Sequence, residues 1–332
     1  MRYRTFPGTD IEASEIGFGA WTVTAGWWGD YTDEQAVALI HTALERGITF
    51  FDTAPTYGAD GRGETIIAKA LRDRRDEVVY STKIGYDTEI EWKPEGHQER
   101  PHNLDPAVLR RSVEASLRRL DTDRIDLLQL HNPRMDHLKS DEVWELGESL
   151  KAEGKIRGFG IALGPAIGWR DEGVWALQNR TMDALFIIHN LLEQDPGREF
   201  IEEARKRDVG VMVRVPHSSG LLEGKYTKDT TFDANDHRSH RKREWLVNGL
   251  RKLEKLGFLT EDRGMTIGQA ALKWLLADPL VVTVLPNIYD DAQLAEFADA
   301  SGHGPDLTDD DLDRIAGLYD DDFGLAHAAA DA

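Results

Sequence analysis

The sequence predicts an α/β fold, a (β/α)8 TIM barrel with an N-terminal β-hairpin and extra C-terminal helices. Short apolar strands alternate with helical patterns along the chain, which is typical of a parallel sheet. Eight strand–helix units over roughly 300 residues favour a closed barrel over an open sheet. No linker or composition break divides the chain, so we expect one domain over residues 1–332.

Composition excludes several functional classes. The chain has no cysteine and a formal net charge of -20, so disulfides and thiol catalysis are excluded. An acidic surface repels phosphate backbones and anionic lipid, and we expect neither a nucleic-acid nor a membrane partner. No apolar run approaches the ~20 residues of a membrane span, and the N-terminus lacks a signal-peptide core. We therefore expect a cytoplasmic protein, either salt-adapted or an ordinary acidic enzyme.

The hairpin and the strands follow from apolar runs between turn residues. Residues 7–10, Pro-Gly-Thr-Asp, are typical of a turn. They lie between Tyr3–Phe6 and Ile11–Ser14, which predicts the hairpin. Ile48–Phe51 is β-branched and aromatic, as expected of a buried strand. The predicted barrel strands cover residues 16–19, 48–51, 78–83, 125–131, 156–162, 184–189, 210–215 and 281–285.

The helices follow from apolar residues at helical spacing and from end signals. Thr32 and Asp105 are predicted N-caps, and Gly154 ends a helix. The predicted helices cover residues 33–46, 64–71, 106–120, 142–153, 174–178, 198–207, 244–256, 266–277, 292–298 and 309–318. A long polar segment is expected at residues 217–243, and the tail from Asp320 is expected to fray.

An open dinucleotide-binding sheet is the alternative fold. Gly17 and Gly19 supply only two of the three glycines of that fingerprint. Residues 26–29, Gly-Trp-Trp-Gly, follow where the fingerprint requires a helix, so the sequence favours the barrel.

Four polar residues lie at the ends of three consecutive predicted strands or in the loop that follows: Asp52, Tyr57, Lys83 and His131. Parallel strands lie roughly 4.8 Å apart, so groups at their carboxyl ends share one mouth of a barrel. Each residue alone has an ordinary interpretation, as a turn cap, a loop aromatic, a solvated strand end or a loop hydrogen bond. Together they indicate a catalytic site.

This set suits proton transfer to a carbonyl oxygen. A free phenol has a pKa of about 10, and a nearby ammonium lowers the pKa of a phenol. Lys83 can supply that charge, and Asp52 can hold Lys83 ionised. His131 can polarise the substrate oxygen while Tyr57 donates the proton as hydride arrives. None of these side chains supplies hydride, so a nicotinamide cofactor is needed.

The chain resembles the aldo-keto reductases, in particular their prokaryotic branch. The matching motifs lie at residues 51–58, 81–83, 127–131, 154–160 and 220–226. The resemblance implies a barrel with Asp52, Tyr57, Lys83 and His131 as the catalytic tetrad. It also implies NADP or NAD bound at the barrel mouth, with NADP more usual in the family. The cofactor-binding residues that it implies are Gly19, Trp21, Asp52, Arg214, Pro216, Ser219, Gly220, Leu222, Gly224, Lys225, Asn287, Gln293 and Glu296.

The cofactor side departs from the family pattern. Ala162 and Leu163 stand where the family usually has the serine and asparagine that bind the nicotinamide amide. Phe186 and Phe297 replace a frequent glutamine and an expected asparagine. Arg214 stands where an aromatic ring often stacks on the nicotinamide, and a guanidinium can also stack.

The choice between NADP and NAD stays open. Residues 286–290 lack the lysine or arginine that would grip a 2′-phosphate. Arg238, Arg241 or Arg243 could replace it, or these three arginines could be surface charges.

The expected substrate site is aromatic. Its predicted residues are Trp21, Trp27, Trp28, Tyr57, Trp92 and His131, with the tryptophans in loops. Such aromatics suit sugars or aryl carbonyls, and they could equally pack the loops together. His97 and His102 could also touch substrate. No metal site is expected, because Asp236, His237 and His240 are too sparse.

We therefore expect an NAD(P)-dependent aldo-keto reductase that reduces an aldehyde or ketone, or oxidises the alcohol. One alternative is a redox-neutral epimerase or lyase that uses bound nicotinamide transiently. Another is a non-catalytic regulatory barrel like the channel-associated members of the superfamily, which the complete tetrad disfavours. The sequence defines neither the direction of reaction nor the oligomeric state.

Overall fold

The computed structural model describes residues 1–26, 28–93, 98–164, 169–233, 236, 238–239 and 241–325. Trp27, His97, His237 and His240 lie outside the described residues, so the expectations that involve them stay predictions. Among the described residues, no helix combines the length and apolarity needed to cross a bilayer.

The strands form a hairpin and a barrel. β1 (Tyr3–Thr5) and β2 (Glu12–Ser14) pair antiparallel as predicted. In the described part of the chain, eight further strands pair in parallel and in sequential order, so the predicted (β/α)8 architecture is confirmed. These strands are β3 (Phe18–Gly19), β4 (Phe50–Asp52), β5 (Val79–Ile84), β6 (Ile125–His131), β7 (Ile156–Ala162), β8 (Ala184–Ile188), β9 (Gly210–Arg214) and β10 (Val281–Leu285).

A short parallel contact between the first and last strands closes the barrel. Ile16 bridges Val284, the Gly17 amide donates to the Val284 carbonyl over 2.9 Å, and the Val284 amide donates to the Glu15 carbonyl over 2.8 Å. A Cβ at residue 17 would lie 3.0 Å from the Thr283 hydroxyl oxygen, so glycine allows the close approach.

Helices surround the strands, and several begin at the predicted caps. The Gln35 amide donates to the Thr32 hydroxyl over 3.2 Å, and the Ala107 amide donates to the Asp105 carboxylate over 2.8 Å. The helices are α1 (Trp21–Thr24), α2 (Asp33–Glu45), α3 (Arg62–Leu71), α4 (Pro106–Leu120), α5 (Met135–Lys139), α6 (Asp141–Ala152), α7 (Arg170–Asn179), α8 (Gly197–Arg205), α9 (Arg243–Lys255), α10 (Ile267–Leu276), α11 (Asp291–Asp299) and α12 (Asp309–Asp320).

Three local predictions were wrong. Trp21 lies in the one-turn helix α1 and not in a loop. The short helix α5 was not predicted either. Helices of four or five residues are too short to show an apolar periodicity. The tail is ordered directly after Asp320, since a 3-10 turn at Asp322–Gly324 buries Phe323; residues 326–332 lie outside the described residues. The segment after β9 is not polar throughout, because a 3-10 turn buries residues 218–222, which include two leucines.

Two apolar layers hold the barrel together. One lies between the strands and the helices, and the other fills the barrel interior. Phe6 and Ile11 of the hairpin are fully buried in the interior layer, and the Phe6 and Phe50 ring centroids lie 6.2 Å apart. The same layer reaches Phe186 and Leu285 near the opposite end, so the hairpin closes one end of the interior.

A buried carboxylate ties three segments together near the amino end of β6. The Asp126 carboxylate accepts hydrogen bonds from Arg75 and Arg157, each over 2.7 Å, and from the Tyr80 amide over 2.8 Å. Its side chain is fully buried. Removing one partner of such a group leaves uncompensated charge, which costs more than a surface ion pair contributes.

We expect Asp126→Asn to lower the free energy of unfolding by about 3–5 kcal/mol, because the two guanidinium groups lose their buried counterion. Urea unfolding followed by circular dichroism measures this. Asp123→Asn is the matched control, since Asp123 is 90% exposed, and it should change stability by less than about 0.5 kcal/mol. Equal losses in the two variants would contradict the prediction.

Candidate active site

The predicted tetrad converges at the carboxyl ends of three neighbouring strands. Asp52 and His131 are the last residues of β4 and β6, and Lys83 lies in β5 next to its end. The register pairs Asp52 with Ser81 and Lys83 with Gln129, which sets all three on one rim. Tyr57 follows on the loop after β4.

The Tyr57 loop is held by the backbone. The Tyr57 amide donates to the Ala54 carbonyl over 3.0 Å, and the Gly63 amide donates to the Tyr57 carbonyl over 2.8 Å. A Cβ at residue 63 would lie 2.6 Å from the Thr53 hydroxyl, so α3 can pack this closely only with glycine there.

A buried ion pair lies beneath this loop. The Lys83 ammonium nitrogen is 2.6 Å from a carboxylate oxygen of Asp52 and also donates to the Thr53 carbonyl over 2.7 Å. Ser81 and Gln129 donate to the other Asp52 oxygen over 2.9 and 3.1 Å. Lys83 is 1% exposed, so it is not a solvated strand end.

Lys83 is positioned to act on Tyr57. Its ammonium nitrogen lies 4.8 Å from the centre of the Tyr57 ring. Burial lowers the pKa of Lys83, but the charge of Asp52 and the contact with Tyr57 outweigh burial and leave this pKa above its usual value. The ammonium therefore stays charged at neutral pH, directly beside the phenol.

His131 completes the set as a neutral imidazole. Its ring meets the Tyr57 ring edge-on with centroids 6.0 Å apart. Burial lowers the pKa of His131 well below its usual 6.5, and the nearby Lys83 and Arg214 charges lower it further. The His102 Nε2 lies 2.8 Å from the His131 carbonyl and fixes the strand end.

Asp52, Tyr57 and His131 of the tetrad line one cavity of about 510 Å³. The predicted site residues that line it are Gly19, Trp21, Trp28, Asp52, Tyr57, His131, Arg214, Ser219 and Asn287. Sequence reasoning missed several polar lining residues. Tyr86 and Asn132 follow closely on β5 and β6, so the strand-end rule could have found them; Glu99, Arg100 and Glu193 lie on connecting segments without such a signal. Arg241, one of the three candidates for a 2′-phosphate contact, also lines the cavity.

Other predicted cofactor residues do not line this cavity and pack beside it. The Gln293 amide donates to the Glu223 carboxylate over 3.0 Å, and Glu296 accepts from the Thr266 hydroxyl over 2.5 Å. The Lys225 ammonium lies 3.8 Å from Glu223. The remaining residues of this group belong to the turn after β9; they are Pro216, Gly220, Leu222 and Gly224.

Trp92 is separate from the cavity and lines a neighbouring groove beside the Tyr57 loop. Its predicted contact with substrate stays a prediction. Trp28, in contrast, is covered by Arg238, whose guanidinium lies 4.6 Å from its ring, and it stacks on Tyr289 at 5.3 Å. Arg238 is thus a partly buried residue of the segment after β9 and not a surface charge.

The described residues contain no group of three or more histidine, cysteine, aspartate or glutamate side chains that could hold a metal ion. Because His237 and His240 are outside that set, the expectation of no metal stays a prediction.

Comparison with known proteins decides the family. Residues 15–320 match the model of the aldo/keto reductase family. The chain belongs to the aldo/keto reductase family. It is 31% identical to the aldo-keto reductase YhdN of Bacillus subtilis, over 91% of this chain and 89% of that protein.

Two further aldo/keto reductases illustrate its relatives. The NADH-specific methylglyoxal reductase of Escherichia coli is 31% identical, over 87% of this chain and 90% of its own. The solved glycerol dehydrogenase AKR11B4 of Gluconobacter oxydans superposes with a TM-score of 0.80 at 28% identity, over 95% and 94% of the two chains. The chain is therefore an enzyme, and its family carries out NAD(P)-dependent reduction of carbonyl compounds in general.

We expect the His131 ring to stay neutral from pH 8 to below pH 6.5, because its pKa is lowered by burial and by neighbouring cations. In the unfolded chain this ring takes up a proton near pH 6.5, so stability falls as pH drops below that value. Histidine NMR resonances, assigned with His131→Asn, measure the ring directly. A His131 midpoint at or above 6.5 would show the prediction to be wrong.

Proposed function

We propose that this aldo/keto reductase reduces an aldehyde or ketone, with Tyr57 as the general acid. The observation that carries the proposal is the Lys83 ammonium beside the Tyr57 ring, in a cavity that also contains His131. In the reverse direction Tyr57 accepts the proton of the alcohol. The expected partner is a small carbonyl or alcohol molecule.

Each tetrad member has a distinct role in this proposal. Tyr57 gives its proton to the carbonyl oxygen, and the Lys83 charge stabilises the negative charge left on the phenol oxygen. Asp52 keeps Lys83 charged and oriented through their 2.6 Å contact. Neutral His131 donates a hydrogen bond to the substrate oxygen, which orients the carbonyl without competing for the proton.

The residues present fit the reacting end of a nicotinamide cofactor. When bound, NADP or NAD supplies the hydride that no side chain of the cavity can supply. Gly19, Trp21, Ser219 and Asn287 line the space that remains beside the tetrad. Ser219 and Asn287 support this fit, because both have polar side chains that can hydrogen-bond a cofactor in this space.

We expect Tyr57→Phe to lower kcat by about 10²- to 10⁴-fold, because the ring stays and only the transferable proton is lost. Reduction of a carbonyl panel, with cofactor absorbance as the readout, measures this. Tyr3→Phe is the control, since Tyr3 is exposed and bonds only the Gly47 carbonyl. Full activity in Tyr57→Phe would show that Tyr57 is not the general acid.

We expect the enzyme to bind added NADPH or NADH reversibly and to consume one equivalent per carbonyl reduced. Ala162 and Leu163 motivate the redox-neutral alternative, in which nicotinamide is retained and not consumed. Titration of purified protein with each cofactor, followed by a carbonyl panel, separates the two. Stoichiometric nicotinamide in the purified protein, with turnover but no net oxidation, would refute the reductase.

A further inference from the structure

The catalytic cavity contains surplus positive charge inside an acidic protein. Arg100, Arg214 and Arg241 line it, and among the described residues no carboxylate oxygen lies within 4.0 Å of any of their nitrogens. Arg100 donates to backbone carbonyls, and Arg241 donates to the Ser219 hydroxyl over 3.3 Å. Although the chain has a net charge of -20, a cavity lined by these arginines has a local positive potential that favours an anion.

The carboxylates of the same cavity do not offset these arginines. Asp52 is paired with Lys83, and Glu99 is paired with Arg134 over 3.1 Å. Glu193 accepts from the Asn190 side-chain amide over 2.8 Å, and no basic nitrogen of the described residues lies within 4.0 Å of its carboxylate. The unpaired charges in the cavity therefore sum to a positive value.

Arg214 lies close enough to the tetrad for its charge to act on His131. Its guanidinium carbon lies 5.9 Å from the centre of the Phe186 ring, and the Lys83 nitrogen lies 5.7 Å from the same centre. Its Nη2 donates to the Leu163 carbonyl over 2.6 Å, but its Nε is buried and has no hydrogen-bond partner among the described residues. A buried, charged donor left unsatisfied is costly, so this group is suited to a ligand.

We propose that Arg214 binds a carboxylate of the substrate, so that the enzyme acts on carbonyl compounds that are also acids. A guanidinium presents N–H donors in a plane that matches a carboxylate. This inference rests on the proposed reductase function and names its substrate class.

The test compares two aldehydes with the same carbon chain, 4-oxobutanoate and butanal. Since a hydrogen bond to a charged group contributes about 1.5–3 kcal/mol, we expect kcat/KM to favour 4-oxobutanoate by about 10- to 100-fold. Calorimetric titration of the enzyme loaded with the reduced cofactor, which cannot oxidise an alcohol, gives a readout that is independent of turnover; the ligands are 4-hydroxybutanoate and butan-1-ol. The acid should bind more tightly by a similar factor.

Substitution then assigns the preference to one side chain. Arg214→Gln should lose at least tenfold more kcat/KM for 4-oxobutanoate than for butanal, and Arg214→Lys should retain part of the preference. Arg205→Gln is the control, because Arg205 is a half-exposed surface arginine paired with Asp278, and it should preserve the wild-type ratio.

The outcomes separate the two proposals. Reduction of both aldehydes at equal efficiency by the wild type would overturn the acid-substrate inference and leave the reductase intact. An equal loss for both substrates in Arg214→Gln, with weaker cofactor binding, would assign Arg214 to the cofactor instead. Reduction of neither aldehyde, nor of any other in the panel, would count against the reductase itself. The wild-type comparison stands even if Arg214→Gln fails to fold.

Discussion

The buried ion pair between Lys83 and Asp52 is the interaction on which the site depends. Two charges taken out of water are costly unless their remaining hydrogen-bonding groups are satisfied. Ser81, Gln129 and the Thr53 carbonyl meet that need, and they come from β4, β5 and β6. The pair therefore requires these strands in their observed register, and the register in turn sets Tyr57 and His131 beside the ammonium.

The charges of the molecule are separated by location. Acidic residues outnumber basic ones in the chain, whereas Arg100, Arg214 and Arg241 line the cavity and Lys83 is buried beside Tyr57. This arrangement explains why His131 is neutral, since burial and two neighbouring cations both oppose its protonation.

The strands of the barrel were predicted well because each follows from a local pattern of apolar residues. The bounds of β6, β7 and β10 match the prediction, since each is an apolar run bounded by polar or turn residues. The convergence of Asp52, Lys83 and His131 was predicted because the carboxyl ends of barrel strands meet at one face, whichever paths the loops take. These features depend on neighbours in the chain or on a general rule of parallel sheets.

What sequence missed depends on the paths of the loops. Glu99 and Arg100 reach the cavity from a long connection, whose path no periodicity specifies. Trp92 lines a neighbouring groove, and its contact with substrate stays a prediction. Gln293 followed from family resemblance, which could not reveal that its amide bonds Glu223 within the same chain.

The position of the hairpin limits how molecules reach the reacting groups. Phe6 and Ile11 fill one end of the barrel interior, and the cavity beside Tyr57 and His131 lies at the carboxyl ends of the strands. Under the proposed function, cofactor and substrate therefore share this cavity, and each limits the volume left for the other.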